Sequence, residues 1–277
     1  MLTVLHISDL HFGPFYLPAI GESLLRIAPA LEADVIVASG DFTQRAKPEQ
    51  FAQAREFLAK LPPLPLIVTP GNHDVPLYRF IERMFRPYDN YMEYVSPNLD
   101  VAHRVKNAIF VSLNSAAPYQ AITNGRIHRR QLEWAAQQFD EETRSMIRII
   151  VAHHHFAPSP DYEHQEVMPK ARRALDLFVR HRVDMILGGH LHRAYIGNSL
   201  DVYPGEDREH GIIIAQCGTT TSRRGRVRER EKNSFNLITI TDATIHITHY
   251  MHFDDAGGFA PVSRHEFPRP GRRMYLA

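Results

Sequence analysis

Apolar runs that stop abruptly at polar residues recur along this chain. Leu2 to Ser8 is apolar at most positions and reads as a buried strand ending in Asp9-Leu10-His11-Phe12-Gly13-Pro14. Asp34 to Ala38 runs into Ser39-Gly40-Asp41, and Leu66 to Thr69 into Pro70-Gly71-Asn72-His73-Asp74. Ile147 to Ala152 ends in His153-His154-His155, and Val183 to Leu187 in Gly188-Gly189-His190-Leu191-His192. Between these runs the period is that of helices. Glu22 to Leu31 reads as one; Pro48 opens another with Phe51, Ala54 and Leu58 on one face, and Pro62-Pro63 stops it. Gln131 to Phe139 and Ala171 to Val179 repeat the pattern, while Asp100 to Val105 and Ala108 to Leu113 read as strands turned at Lys106-Asn107. This order predicts a largely parallel sheet with right-handed crossovers.

Beyond His192 the pattern changes. Tyr195 to Gly197, Ile212 to Gln216, Phe235 to Thr241 and Thr244 to Tyr250 predict strands joined by loops, hence a second, more antiparallel sheet packed on the first. Residues 1–252 read as one domain, and 253–277, rich in Gly, Pro and Arg, as a C-terminal surface tail. The aromatic-rich stretch Val75 to Pro97 reads as short helices over the entrance of a site, its rings serving mainly for packing.

Five strand ends therefore carry metal-type ligands: Asp9 and His11, Asp41, Asn72 and His73, the triplet His153 to His155, and His190 and His192. Asp9 and His11, two apart, are expected to share one side of an extended backbone. Carboxylate, imidazole and amide oxygen together suit borderline divalent ions such as Mn, Fe or Zn. One ion takes about four protein ligands and leaves a position open, and this set offers about twice that number. Two ions sharing a carboxylate is the economical reading. Such a pair, roughly 3.5 to 4 Å apart, clamps both the attacking and the leaving oxygen of an in-line phosphoryl displacement.

Composition narrows the partners. The chain has 277 residues, 17 histidines and a formal net charge of +1. That charge creates no global field for polyanions, so nucleic acid is not an expected partner and any basic contact must be local. The local candidate is Arg223 to Lys232, where Glu229 and Glu231 dilute the basic residues. It reads as a solvated loop or as a substrate-phosphate contact, with Arg223 and Arg224 the residues to reach it. Cys217, the single cysteine, excludes an internal disulfide framework and a cysteine zinc site, in keeping with a reducing cytoplasm. The first apolar stretch is broken by His6, Ser8, Asp9 and His11, so it reads as neither a secretory signal nor a membrane span. No other stretch has the length of a transmembrane helix. Phe12, Phe15 and Tyr16 read equally as lining of the site or as an interface in a homo-oligomer.

His6-Ile7-Ser8-Asp9-Leu10-His11, Gly40-Asp41, Gly71-Asn72-His73-Asp74, the histidine triplet and Gly188-Gly189-His190-Leu191-His192 together resemble, in order and spacing, the five blocks of the calcineurin-like metallophosphoesterase superfamily. The resemblance covers about residues 2–250. It implies an α/β, four-layer αββα sandwich of two mixed β-sheets flanked by helices. It also implies that Asp9, His11, Asp41 and His192 hold a first metal, that Asp41 bridges, and that Asn72, His190 and one histidine of the triplet complete a second. His154 is the expected ligand of the triplet over His153, although Phe156-Ala157-Pro158 stands where the usual block continues with prolines. His73 resembles the acid that protonates the leaving oxygen, and Asp74 the residue that orients it.

The implied activity is hydrolysis of a small phosphoester by hydroxide held between two divalent ions. The start His6 to Gly13 looks most like the class III cyclic-nucleotide phosphodiesterase and glycerophosphodiesterase group, which makes a phosphodiester the first choice. A phosphomonoesterase and a nucleotide-lipid pyrophosphatase of the UDP-diacylglucosamine type are the enzymatic alternatives. A non-catalytic binding scaffold on the same fold is the alternative of another class.

Overall fold

Strand β1 (Leu2–Ile7) is buried along its whole length because it lies inside a sheet that is covered on both faces. The computed structural model describes residues 1–119, 124–159, 167–203, 210–225 and 232–271. After β1 come α1 (Pro18–Ile27), β2 (Val35–Ala38), α2 (Pro48–Leu58) and β3 (Leu66–Val68). Two short helices, α3 (Phe80–Phe85) and α4 (Asp89–Tyr94), precede β4 (Val101–Val105) and β5 (Ala108–Ser112). Then follow α5 (Arg129–Gln138), β6 (Ile147–Val151), α6 (Ala171–Arg180), β7 (Met185–Gly188), β8 (Tyr195–Asn198) and α7 (Ser199–Val202). The chain continues with β9 (Ile213–Gln216), β10 (Ser234–Ile240), β11 (Thr244–Phe253) and β12 (Gly258–Pro268).

These strands form two mixed six-stranded sheets, ordered β12-β11-β10-β1-β2-β3 and β4-β5-β6-β7-β9-β8. Alternation with period two decides what each strand contributes. On β1, Leu2 and Val4 face the other sheet while Leu5 and Ile7 face the helices. On β6, Ile147, Ile149 and Val151 enter the inter-sheet core and Ile150 packs under α5 and α6. The result is the expected αββα sandwich.

The distribution of strands departs from the sequence reading. Early and late strands are not segregated into two sheets. β10 pairs antiparallel with β1, on the side opposite its parallel partner β2, so β10 and β11 extend the first sheet. β9 lies parallel to β7 and joins the second. An apolar pattern fixes which faces are buried and leaves the neighbours of each strand open. The expected surface tail also contains structure: β12 pairs with β11 from Gly258 to Pro268, anchored by Phe259, whose ring lies 4.9 Å from that of Phe235. Residues 272–277 lie outside the described part. Among the described residues no helix is long and apolar enough to cross a membrane.

One buried carboxylate closes the end of the sandwich away from the polar strand ends. Asp184 Oδ2 accepts from Arg148 N at 2.8 Å, and Asp184 Oδ1 from Arg269 Nε at 2.7 Å, tying the residue after β12 to the second sheet. Asp184→Ala leaves Arg269 without its buried counter-ion and is expected to cost about 2–4 kcal/mol. A urea midpoint unchanged from the wild type would contradict this assignment.

Candidate metal centre

The polar residues identified in the sequence collect where the two sheets meet, just beyond β1, β2, β3, β6 and β7. The backbone that delivers them is strained. Asp9 (φ 53°), His11 (51°), Asp41 (52°), His190 (72°) and His192 (53°) occupy the left-handed region, five of ten such non-glycine residues among those described. Each costs of order 1–3 kcal/mol unless its surroundings over-determine it. They do: Asp9 N donates to Gly40 O at 3.0 Å and His11 N to Asp41 O at 2.9 Å. Thr219 Oγ1 donates to Asp9 O and Thr221 Oγ1 to Leu10 O, at 2.7 and 3.0 Å. Asp9 and His11 thus share a side because of left-handed turns past the strand end, correcting the expectation of an extended backbone.

Asp9, His11, Asp41 and His192 are buried, with one ligand atom of each within 4.8 Å of the others. Hydrogen bonds fix which atoms face inward. Ser8 Oγ and His190 N donate to Asp9 Oδ2, at 2.7 and 3.0 Å, so Oδ1 is left for the cluster. His192 Nδ1 lies 2.7 Å from Arg224 O. A carbonyl only accepts, so the proton sits on Nδ1 and the Nε2 lone pair points inward. That lone pair is 3.1 Å from Asp9 Oδ1 and 3.0 Å from His11 Nε2. His11 Nε2 is in turn 3.7 Å from Asp41 Oδ2.

A second group of donors shares Asp41. His153 Nδ1 donates to Ser39 O at 2.7 Å, leaving Nε2 to face Asp41 Oδ2 at 3.3 Å and Asn72 Oδ1 at 3.2 Å. His190 Nδ1 lies 2.9 Å from the same amide oxygen. Asp41 Oδ1 accepts from His73 N at 2.8 Å, while Oδ2 is buried with no hydrogen-bond partner and stands between the two groups. Of the triplet, His153 faces Asp41, whereas His154, the expected ligand, does not. His154 Nδ1 bonds Ser115 Oγ at 2.8 Å, and its ring packs against His190. The signal was present in the sequence, since His153 continues the odd-numbered face Ile147-Ile149-Val151 that points to the other sheet.

Acceptor atoms facing one another at these distances, out of water, favour positive charge placed among them. Burial disfavours charge on Asp9 and Asp41, yet the surrounding imidazoles hold both carboxyls well below the usual range. Burial likewise opposes a charged His153, but Asp41 raises its pKa to about 9, whereas burial takes His11 down to about 3. The donor set is carboxylate, imidazole and amide oxygen without thiolate, which fits Mn, Fe or Zn.

His73 and Asp74 take different places. His73 Nδ1 donates to Gln44 O at 3.0 Å, and Nε2 accepts from Arg224 Nη1 at 2.7 Å. Burial, then the Arg224 guanidinium, holds this imidazole below its usual value against the pull of Asp41. Asp74, expected to orient His73, instead accepts from the backbone N–H groups of Phe42, Thr43 and Gly71 at 2.9–3.1 Å. It braces the Asp41 loop against the Asn72 turn, and Gln44 does the orienting. Arg223 turns away, donating to Pro14 O at 3.0 Å with its guanidinium over Phe15. Residues 226–231 of the basic loop lie outside the described part. Phe12 is buried against Tyr16 at 4.1 Å, so packing claims it. The sequence reading missed the backbone acceptors Ser39, Gln44 and the Arg224 carbonyl, and the run Thr219-Thr220-Thr221. That run begins three residues past the end of β9, which was its one available signal.

Gly71 approaches Asp41 so closely that a Cβ there would collide with the carboxylate and with the Asp41 amide. Gly71→Ala is expected to weaken metal retention about 10- to 100-fold, the range for displaced supporting contacts. Metal content after dialysis checks this, and full retention would contradict the crowding.

A model described as calcineurin-like phosphoesterase matches residues 2–194. No curated protein matches the chain. Among solved structures, purple acid phosphatase PPD1 from yellow lupin (Lupinus luteus) superposes with a TM-score of 0.70 at 13% identity, covering 97% of this chain and 54% of that one. A dimetal phosphatase from Danio rerio gives 0.64 at 11% identity, covering 97% and 99%. The anchor in the inner membrane complex of Plasmodium gives 0.63 at 13%, covering 99% and 90%. The chain thus spans about half the length of the lupin phosphatase, and at these identities the likeness is one of fold.

Proposed function

The chain belongs to the calcineurin-like phosphoesterase family, and from that premise we propose that it is a dinuclear metal-dependent phosphohydrolase acting on a phosphodiester bond. The observation that carries the dinuclear part is Asp41. Its Oδ2, without a hydrogen-bond partner, is 3.7 Å from His11 Nε2 on one side and 3.3 Å from His153 Nε2 on the other. Asp9, His11, Asp41 and His192 would hold one ion; Asp41, Asn72, His153 and His190 the other. When bound, a divalent pair supplies Lewis acidity to the phosphoryl oxygens and to the attacking water. The preference for a diester rests on the block His6 to Gly13, which resembles the class III phosphodiesterase group.

The chain's own groups do the rest. His73 Nε2, which takes up a proton from solvent once Arg224 leaves it, is the atom that would then pass a proton to the leaving oxygen, its ring held by the Gln44 carbonyl at Nδ1. Arg224 Nη1, on that same Nε2, is the donor that would pair with a phosphoryl oxygen and free His73 as it does so. The Arg224 carbonyl holds His192 whatever side chain the position carries. Side chain and metal support are therefore separable at this residue.

Turnover of an activated aryl phosphodiester against the matching monoester, with protein stripped of metal and reloaded with manganese, tests the reading. Diester turnover that needs metal and falls about 10²- to 10⁴-fold in His73→Ala with metals retained is the expected result. Two bound ions without turnover of either ester would overturn the diester reading in favour of a narrower substrate or a binding scaffold. Asp41→Ala should lose both ions together, and undiminished activity in it would end the dinuclear account.

Arg224→Ala is expected to lower kcat/KM about 10- to 100-fold, of the order of one lost charge-assisted contact. Metal content should not change in that variant. Loss of metal there would instead mean that the side chain, and not only the carbonyl, supports His192.

A further inference from the structure

Outside the metal centre, the starts of α5 and α6 enclose a cavity of about 70 Å³. Arg126, Arg129, Lys170 and Arg173 line it, above a floor that includes Leu132 and Met168. Four like charges around one small space repel each other. They also stand at the positive ends of two ten-residue helices, where acidic side chains are the favourable choice. Neither helix has an acidic residue in its first turn; the Gln131 side chain accepts from His128 N at 2.8 Å at the start of α5, and the start of α6 has no side-chain cap. Among the described residues Arg129 is ion-paired with Glu133 at 2.5 Å, while Arg126, Lys170 and Arg173 have no carboxylate partner. The neighbouring His128 reports the same imbalance: partial burial and then the guanidinium groups of Arg126 and Arg130 hold its imidazole below the ordinary value.

The cavity lies beside the histidine triplet, outside the residues of the candidate centre. Met168 N donates to His155 O at 3.2 Å, and Gly125, next to Arg126, lies against the His154 ring. We propose that this cavity is a second anion site that binds a phosphate-type oxyanion. Guanidinium groups match the oxygens of such an anion, and the N–H groups of two helix starts add donors of the same polarity. The anion is either free orthophosphate or a second phosphate of a ligand that also reaches the metals. None of these side chains enters the proposed hydrolysis, so the site stands or falls on binding alone.

The test is calorimetric titration of the metal-loaded full chain with orthophosphate. It compares the wild type, Arg126→Gln/Arg173→Gln, and Arg130→Gln, an equal charge change outside the cavity. The wild type and Arg130→Gln are expected to bind one phosphate more than the double variant, with the same metal content in all three. Lys170→Gln, a milder change, should weaken that phosphate several-fold should the double variant fold poorly. Equal stoichiometry in wild type and double variant, or equal loss in Arg130→Gln, would overturn the proposal. A parallel titration with tripolyphosphate separates the sources. One tight equivalent that the double variant weakens about tenfold assigns a single ligand spanning cavity and metals, and two independent equivalents assign free phosphate.

Discussion

The structure depends on lone pairs that face each other across about 3 Å in a space from which water is excluded. His192 Nε2 points at Asp9 Oδ1, and His153 Nε2 at Asp41 Oδ2 and Asn72 Oδ1, because carbonyls at Arg224 and Ser39 have taken the protons of the opposite ring nitrogens. Unpaired burial of one such acceptor costs a few kcal/mol, and here several share one volume. Only positive charge placed among them makes the arrangement favourable. Everything around the centre serves to keep these atoms from turning away.

That support explains the backbone. Left-handed conformations at Asp9, His11, Asp41, His190 and His192 turn the chain soon after a strand end, so that each candidate ligand is carried by a rigid strand and not by a long loop. The strain is offset by bonds that cross between segments distant in sequence, such as Thr219 Oγ1 to Asp9 O and Asp74 to the Phe42 and Thr43 amides. Asp74, whose place beside His73 suggested a catalytic partner, belongs to this bracing. Adjacency in sequence was a poor guide there because the two residues lie in one 3-10 turn, Asn72–Asp74, whose side chains diverge.

The candidate ligand types and the strands that bear them were legible in the sequence, since each candidate follows an apolar run by one to five residues. The fold class followed from the same runs. Strand neighbours were not legible, because β1 shows the same apolar residues whether its second partner is β10 or some other strand. Backbone handedness at Asp9 and Asp41 has no residue-type signature, as neither is a glycine. Which histidine of the triplet faces Asp41 was legible by period, since His153 continues the odd-numbered face of β6. The carbonyl partners could not have been read at all, because a carbonyl is present at every residue and only the fold selects Ser39, Gln44 and Arg224.

The two groups of donors do not belong to the same sheet. Asp9, His11, Asp41 and Asn72 follow strands of the first sheet, whereas His153, His190 and His192 follow strands of the second. Each proposed ion would therefore be held from both sides, and its geometry depends on how one sheet sits on the other. That relation is set by the apolar layer between them, in which Val4, Val37 and Ile67 meet Phe110, Ile149 and Leu187, all fully buried. Close-packed interiors resist small shifts because each displaced methylene loses dispersion contacts or opens a cavity. The core thus does for the centre what a short loop could not. It fixes imidazoles and carboxylates that lie more than a hundred residues apart to within hydrogen-bonding distance, and it makes the spacing of the ligands a property of packing between the sheets.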